Sequence, residues 1–257
     1  MRILCIGDVV GKVGCEFLRK KLPSLKKVKG IDVVICNGEN SSDGNGITPT
    51  SADFLFDSGV DVITLGNHSF RRKEVFSYLD SEPYIIRPAN FPEATTPGKG
   101  VCTLDLGRYS LTVINLIGNM FMEHGLESPF DKIDSLLKEI DSRFIVVDFH
   151  AETTSEKLAM GYYLDGKASV VFGTHTHVQT SDCRTLENGT GYITDLGMTG
   201  PLDSVLGVKP EISIQKFKTR MPVRFELKGG PCKMECALFE LDDKTGKTIS
   251  SEIMRII

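Results

Sequence analysis

The sequence has little of what marks membrane, secreted or DNA-binding proteins. Its 257 residues carry a net charge of −4, which gives no broad cationic field, so we expect no stable DNA binding. No stretch approaches the roughly 20 apolar residues that cross a bilayer, and the first ten residues lack the pattern of a signal peptide. The seven cysteines are scattered and never spaced Cys-x-x-Cys. We expect a cytoplasmic protein that does not bind membranes and forms one domain over residues 1–257.

Three common catalytic motifs are also absent. The sequence contains no Gly-x-Gly-x-x-Gly after a strand, no Walker loop and no Gly-x-Ser-x-Gly. Their absence disfavours the dinucleotide-binding, P-loop and serine-hydrolase interpretations of the chain.

Short apolar runs alternate with helical patterns over the first 70 residues. Strands are predicted at 3–6, 31–36 and 60–65, with helices around 17–28 and from Thr48 to Gly59. Such alternation predicts an α/β fold in which helices pack on a sheet. Beyond residue 100 the predicted elements are a hairpin of 101–106 and 110–116, a helix at 131–140, and strands at 144–149, 169–172, 191–194, 212–217, 223–227, 233–241 and 248–256.

Five of the predicted strands end in side chains that bind metal ions. In an open α/β sheet, loops beyond the carboxyl ends of the strands converge and build sites. Each of these residues alone is more simply a turn former or a hydrogen-bonded core histidine. Their recurrence at five strand ends instead favours one shared metal site. The predicted ligands are Asp8, Glu39, Asn40, Asn67, His150, His175 and His177.

The His175-Thr176-His177 segment follows directly on a predicted strand. In an extended backbone its alternation places both imidazole rings on one side, with Thr176 pointing away, so that each ring reaches a different ion of a pair. The glycines beside the predicted ligands, which are expected to allow close backbone approach and unusual dihedrals, are Gly7, Gly38, Gly66 and Gly173.

The donor types indicate the kind of metal centre. Carboxylate, amide oxygen and imidazole without thiolate suit manganese, iron or zinc. Seven donors exceed the need of one ion, whereas two ions that share a bridging carboxylate fit the count. Such a pair, about 3.5–4 Å apart, activates a water and stabilises the attacking and leaving oxygens of a displacement at phosphorus. We expect two divalent ions, iron or manganese, with zinc or magnesium as alternatives.

Six motifs follow one another along the chain: Gly7-Asp8-Val9-Val10-Gly11, Asn37-Gly38-Glu39-Asn40, Gly66-Asn67-His68, the run 148–157, Gly173-Thr174-His175-Thr176-His177-Val178 with Asp182, and the run 195–200. Their order is similar to that of the calcineurin-like metallophosphoesterases, and within them of the YmdB-like bacterial phosphodiesterases. Three departures from the broader family resemble the subgroup: Val10 stands for a histidine, Glu39 for an aspartate, and Thr174 precedes the histidine pair.

The resemblance implies a four-layer sandwich of two mixed β-sheets flanked by helices, a di-iron or di-manganese centre, and hydrolysis of cyclic nucleotides, notably 2′,3′-cyclic ones, or of RNA ends. A hydroxide held by two ions would attack phosphorus, and His68 would give a proton to the leaving oxygen. Asn40 would take the place of the missing first-motif histidine. By the same resemblance Asp8, Glu39, Asn40 and His177 would hold one ion, and Glu39, Asn67, His150 and His175 the other.

One segment departs even from the subgroup, because Ser69-Phe70-Arg71-Arg72 stands where its members usually read Thr-Trp-Asp. It is either an exposed basic helix start, or Arg71 or Arg72 binds a substrate phosphate. The departure keeps a second function open, that of a metal- or nucleotide-binding regulatory or scaffold protein with negligible turnover. The intact His68 favours an enzyme. The strand-rich C-terminal third is a candidate surface for a homo-oligomer.

Overall fold

A computed structural model describes residues 1–122 and 125–257. The helices are α1 Gly11–Lys29, α2 Pro49–Asp57, α3 Phe76–Ser81, α4 Pro129–Glu139, α5 Thr154–Tyr163 and α6 Pro210–Thr219, with a 3₁₀ turn at Lys73–Val75. The strands are β1 Arg2–Ile6, β2 Asp8–Val9, β3 Val33–Asn37, β4 Val62–Thr64, β5 Ile85–Ile86, β6 Val101–Asp105, β7 Ser110–Ile117, β8 Phe144–His150, β9 Val170–Thr174, β10 Arg184–Thr185, β11 Gly191–Ile193, β12 Met198–Pro201, β13 Cys232–Leu241 and β14 Thr248–Ile256.

The strands form two mixed sheets. The first has the order β2-β12-β13-β1-β3-β4-β5, with β14 paired to β13. Its central strands β1, β3 and β4 are parallel, whereas β13 runs antiparallel to β1. The second sheet has the order β10-β11-β9-β8-β7-β6, with β7, β8 and β9 parallel. The predicted hairpin of β6 and β7 is confirmed.

Three apolar layers result from the two-residue period of the strands. In β1, Ile3 and Cys5 face the second sheet, whereas Leu4 and Ile6 pack under the helices of the first sheet. On the outer face of the second sheet, residues such as Ile133 and Met160 from α4 and α5 complete a further core. The order helix, sheet, sheet, helix confirms the predicted sandwich of two mixed sheets flanked by helices.

Local capping explains where two helices begin. Thr48 accepts a hydrogen bond from the backbone N–H of Ser51, and Ser51 bonds back to Thr48, which forms a capping box at the predicted start of α2. Thr153 accepts from Glu156 at the start of α5, a helix that the sequence interpretation missed. None of the helices in the described residues is long and apolar enough to cross a membrane.

The predicted strands at 212–217 and 223–227 are wrong. The first lies inside α6, which begins at Pro210, a residue that fits the first helical turn because it lacks an N–H donor. The alternation of Ile212 and Ile214 imitates a strand, yet the helix buries Ser213 and exposes Phe217. The second segment has no ladder and only a single bridge of Leu227 to Val208.

Candidate metal centre

The metal-competent side chains lie where the layer between the sheets becomes polar, at the carboxyl ends of the parallel strands. In β8, Phe144 and Val146 belong to the core between the sheets, and the period of the strand places Asp148 and His150 on the same face. Both polar residues are fully buried. Thr64 of β4 donates its hydroxyl to Asp148 across the two sheets. The strand ends of the two sheets therefore meet at one site.

Four predicted ligands converge there and form what we call the His150 cluster: Glu39, Asn67, His150 and His175. Glu39 Oε1 and His175 Nδ1 each lie 3.1 Å from His150 Nε2. Asn67 Oδ1 lies 3.0 Å from the same nitrogen. One ligand atom from each of Glu39, His150 and His175 lies within 4.8 Å of the other two, a spacing that would hold a metal ion.

The His150 cluster fits a divalent cation. Three acceptor atoms, from Glu39, Asn67 and His175, surround His150 Nε2, and a single proton on this nitrogen can bond well to only one of them. The other two acceptors are then buried without a donor, which costs free energy. Burial opposes a charged His150, but Glu39 on its ring and Asp8 nearby raise the pKa of His150 to about 9. The cluster therefore attracts positive charge, and one cation would satisfy all its donors at once.

The neighbours of both histidines leave one ring nitrogen of each for a metal. Thr174 donates its hydroxyl hydrogen to Asp148 Oδ1 at 2.7 Å, so its oxygen accepts from His150 Nδ1, 2.9 Å away, and Nε2 is the nitrogen that would exchange its proton for an ion. His175 Nε2 lies 2.9 Å from Glu152 Oε2, which leaves Nδ1 for the cluster. Burial and the nearby His150 lower the pKa of His175 to about 3, so its ring is neutral.

The remaining predicted ligands, Asp8, Asn40 and His177, form a second group that we call the Asp8 cluster. His177 Nε2 lies 3.5 Å from Asp8 Oδ1 and 3.2 Å from Asn40 Nδ2. Burial opposes ionisation of Asp8, but His177 holds the pKa of this carboxyl below its usual value. His177 therefore turns Nε2 toward the other two members of the cluster, whereas its Nδ1 is buried without a hydrogen-bond partner among the described residues. Asp8 Oδ2 also accepts from the backbone N–H of His175, which joins the clusters.

Asn40 turns its amide nitrogen toward the Asp8 cluster and its oxygen toward His68, with Oδ1 2.9 Å from His68 Nδ1. A ligand role requires the oxygen to face the ion, which a half-turn of the amide provides without moving other atoms. His68 donates its backbone N–H to Glu39 Oε2 at 2.7 Å. Burial lowers the pKa of His68, and Glu39 opposes that shift. His68 is thus fixed beside both clusters without converging on either.

The turn that carries the two histidines is not extended, contrary to the prediction. β9 ends one residue earlier, and His175 and His177 adopt φ values of 102° and 62°. Positive φ is unfavourable for residues with a Cβ, so other contacts must hold it. Asp195 Oδ2 accepts from the Thr176 N–H at 3.1 Å, from its hydroxyl at 2.8 Å, and from the buried Lys157 Nζ at 2.6 Å. This turn sends the two rings to different clusters.

The glycines beside the ligands permit close packing. A Cβ on Gly66 would overlap the His150 ring, and a Cβ on Gly173 would overlap the carbonyl oxygen of Thr194. The predicted unusual dihedrals are wrong, because none of the four glycines adopts a positive φ. Those glycines are Gly7, Gly38, Gly66 and Gly173.

The two arginines of the departing segment differ in their contacts. Arg72 donates to the carbonyl oxygen of Asn45 at 3.1 Å and to Asp43 Oδ2 at 3.3 Å. The guanidinium of Arg71 is exposed and makes no hydrogen bond or ion pair within residues 1–122 and 125–257. Both arginines line a cleft next to His68.

Several positions that hold the ligands in place were not assigned a role from the sequence. Glu152 contacts His175, and Thr174 contacts His150. Asp195 holds the turn at Thr176 and pairs with Lys157. Their only signal in the sequence is that they lie within the motifs of the family resemblance. A role could not be assigned there because each acts through a contact with a distant segment.

Two mixed sheets flanked by helices, with metal-competent side chains between them at the strand ends, define the metallophosphoesterase class of folds. Residues 4–256 match the family described as YmdB-like protein. A 2′,3′-cyclic-nucleotide 2′-phosphodiesterase from Bacillus subtilis is 48% identical over 254 residues, which cover 98% of this chain and 96% of that protein. The chain belongs to the YmdB-like family.

Solved structures agree with this assignment. The crystal structure of a phosphatase from Mycoplasma pneumoniae is 34% identical, with a TM-score of 0.95, and the match covers 100% of this chain and 93% of that one. A protein from Thermus thermophilus described only as hypothetical is 39% identical, with a TM-score of 0.94, and the match covers 100% of this chain and 99% of that one. The predicted family is therefore confirmed.

Proposed function

We propose that the protein is a metal-dependent phosphodiesterase that hydrolyses 2′,3′-cyclic nucleotides. The observation that carries this proposal is the convergence of Glu39, Asn67 and His175 on His150 Nε2, next to a second group of donors. The name of the Bacillus subtilis relative, at 48% identity, supports the same substrate class.

We assign one divalent ion to each cluster, with Glu39 shared between them. The Asp8 cluster and Glu39 would hold one ion, and the His150 cluster the other. When bound, the ions supply a nucleophilic water at neutral pH and positive charge for the phosphoryl oxygens. The donor set, without thiolate, suits manganese, iron or zinc, and the family resemblance favours iron or manganese.

His68 is positioned to protonate the leaving oxygen. Hydrolysis adds a water oxygen to phosphorus, breaks the P–O2′ bond and requires a proton on O2′. His68 lines the pocket of about 280 Å³ above the ligands. When the Asn40 oxygen faces the ion, the Asn40 amide nitrogen donates to His68 Nδ1, so the His68 ring carries its proton on Nε2, the nitrogen that would give it to O2′.

We also propose that residues 1–257 act as one domain. The N-terminal β1 pairs along its whole length with β13 near the other end of the chain. The two clusters take their side chains from both sheets, so neither half of the chain contains the site alone.

The test uses purified protein loaded with manganese or iron under anaerobic conditions and adenosine 2′,3′-cyclic phosphate as substrate. We expect metal-dependent formation of adenosine 3′-phosphate, identified by ³¹P NMR, and loss of turnover after chelation. Absence of turnover in protein with a full metal content would refute the proposal and favour a regulatory or scaffold role. His150→Ala serves as the metal-deficient control.

A further inference from the structure

A second and larger cavity continues from the pocket above the ligands. It has a volume of about 690 Å³ and lies between the loop around Asn45 and the segment that includes α6. The two cavities share His68 and Leu206. The larger cavity has the size of sites that bind small organic ligands, about 300–1,000 Å³, whereas the pocket above the ligands is smaller than that range. We call the larger cavity the His68 cleft.

The His68 cleft offers positive charge to an anion. Arg72 donates hydrogen bonds to Asn45 and Asp43, so it holds the loop that contains these two residues. Arg71 has no such partner in the described ranges, and Lys216 lines the cleft from α6. An arginine fork and a lysine ammonium both bind phosphate oxygens strongly.

The same cleft exposes two aromatic rings. Phe217 is 67% exposed and Phe225 is 49% exposed, although both are large apolar residues. Lys216 Nζ lies 4.6 Å from the centroid of the Phe225 ring, which places a cation beside the aromatic surface. Exposed rings next to cations are the arrangement on which proteins stack nucleobases near bound phosphates.

The proposed chemistry determines which part of a substrate enters the cleft. The leaving oxygen O2′ must face His68, so the ribose that carries it lies on the His68 side of the phosphorus. The base and the 5′ oxygen of that nucleoside then extend away from the ligands. The His68 cleft is the space that lies in this direction.

We propose that the His68 cleft is a nucleoside subsite in which Phe217 and Phe225 stack the base and Arg71 and Lys216 bind a phosphate on the 5′ oxygen. This inference rests on the proposed function. The preferred substrate is then a nucleoside 2′,3′-cyclic phosphate that is esterified at O5′, as at the 3′ end of an oligoribonucleotide. A mononucleotide with a free 5′ hydroxyl leaves the cationic part of the cleft empty.

The test compares three substrates: methyl riboside 2′,3′-cyclic phosphate, adenosine 2′,3′-cyclic phosphate, and the same adenosine compound with a 5′-phosphate. We expect the 5′-phosphate to raise kcat/KM about tenfold or more, as for hydrogen bonds to charged groups. The base should raise it by about tenfold relative to the methyl riboside. A fourth substrate, a dinucleotide that ends in a cyclic phosphate, should behave like the 5′-phosphorylated compound.

Variants identify the groups responsible. Arg71→Ala and Lys216→Ala should bring the kcat/KM ratio of the 5′-phosphorylated to the 5′-hydroxyl substrate toward one, and Phe225→Ala should reduce the preference for the base. Ile214→Ala and Lys218→Ala are matched controls on the same helix, since both residues are exposed and lie outside the cleft lining. They should leave both ratios unchanged.

Three results would overturn the inference while leaving the proposed function intact. The first is hydrolysis of all three substrates with equal kcat/KM. The second is a 5′-phosphate preference that survives in Arg71→Ala and Lys216→Ala. The third is a Phe217→Ala variant with a changed sedimentation coefficient and an unchanged substrate preference. That result would show that Phe217 contacts another protein molecule rather than a base. If no substrate turns over, equal Kd values of adenosine 3′,5′-bisphosphate and adenosine 3′-phosphate for the metal-loaded protein would overturn it as well.

Discussion

The two regions that line the candidate site differ in burial and in regular secondary structure. The strand-end region, which holds the two clusters, is buried and fixed by hydrogen bonds between the sheets. The segment 203–228 on the other side of His68 contains one helix and irregular backbone, and it exposes Leu206, Phe217 and Phe225. The buried carboxylate of Asp148 in the first region is satisfied by the hydroxyls of Thr64 and Thr174. The second region leaves apolar side chains exposed, as binding surfaces of proteins do.

The largest expected effect lies in the strand-end region. His150→Ala removes the atom on which three other donors converge, so we expect loss of bound metal and turnover at the background level. Metal analysis by mass spectrometry and rates on bis-p-nitrophenyl phosphate measure both. A His150→Ala protein with full metal content and wild-type rates would refute the central place of this residue.

His68→Ala is the matched contrast, because His68 lies beside the clusters without converging on them. We expect the metal content to stay at the wild-type level and turnover to fall about 10²–10⁴-fold. The loss should be least for substrates with good leaving groups, since these need no proton. Equal losses on cyclic nucleotides and on bis-p-nitrophenyl phosphate would contradict the role as proton donor.

A smaller effect is expected from Thr174→Val, which keeps the shape of the side chain but removes the hydroxyl between His150 and Asp148. Without that acceptor the His150 ring is free to change tautomer, so metal affinity should fall about 10–100-fold. Titration of the apo-protein with manganese measures it. Thr185→Val, an exposed strand position, is the control, and an equal affinity in both variants would show that the tautomer is set otherwise.

The smallest effect is expected in the segment 203–228. Phe217→Ala should change the free energy of unfolding by no more than about 0.5 kcal/mol, because an exposed ring contributes little packing. Phe149→Ala, at a residue buried in the core on the outer face of the second sheet, should cost about 3–5 kcal/mol. Chemical denaturation compares the two. A large loss of unfolding free energy in Phe217→Ala would mean that the ring stabilises the fold, contrary to a role in ligand binding.

The secondary structure predicted from the sequence agrees with the structure in the strand-end region and is wrong in the segment 203–228. The prediction located β8, β9 and the seven donors at strand ends, since apolar runs that end in polar residues are a local signal. It failed over 212–217, where Ile212 and Ile214 alternate as in a strand although α6 exposes Ile214 and Phe217. Pattern reasoning assumes that apolar residues face a core, and that assumption breaks where apolar side chains stay exposed.

The backbone conformation of His175 and His177 could not be predicted from the sequence, for a different reason. An extended segment was the natural expectation, but His175 and His177 adopt positive φ. The turn depends on Asp195 and on its buried partner Lys157, which come from a later loop and from α5. Strain of this kind is set by contacts between distant segments, so no local pattern encodes it.

By itself the sequence determined the α/β class and the place of the seven candidate metal donors at the ends of strands, because hydrophobic period and strand-end chemistry are properties of neighbouring residues. Only the tertiary structure decided that these ends meet between two sheets, which nitrogen of His150 and of His175 faces the cluster, and that a cleft with exposed rings continues past His68. Those features depend on distances between residues far apart in the chain, and such distances are fixed only when the sheets pack together.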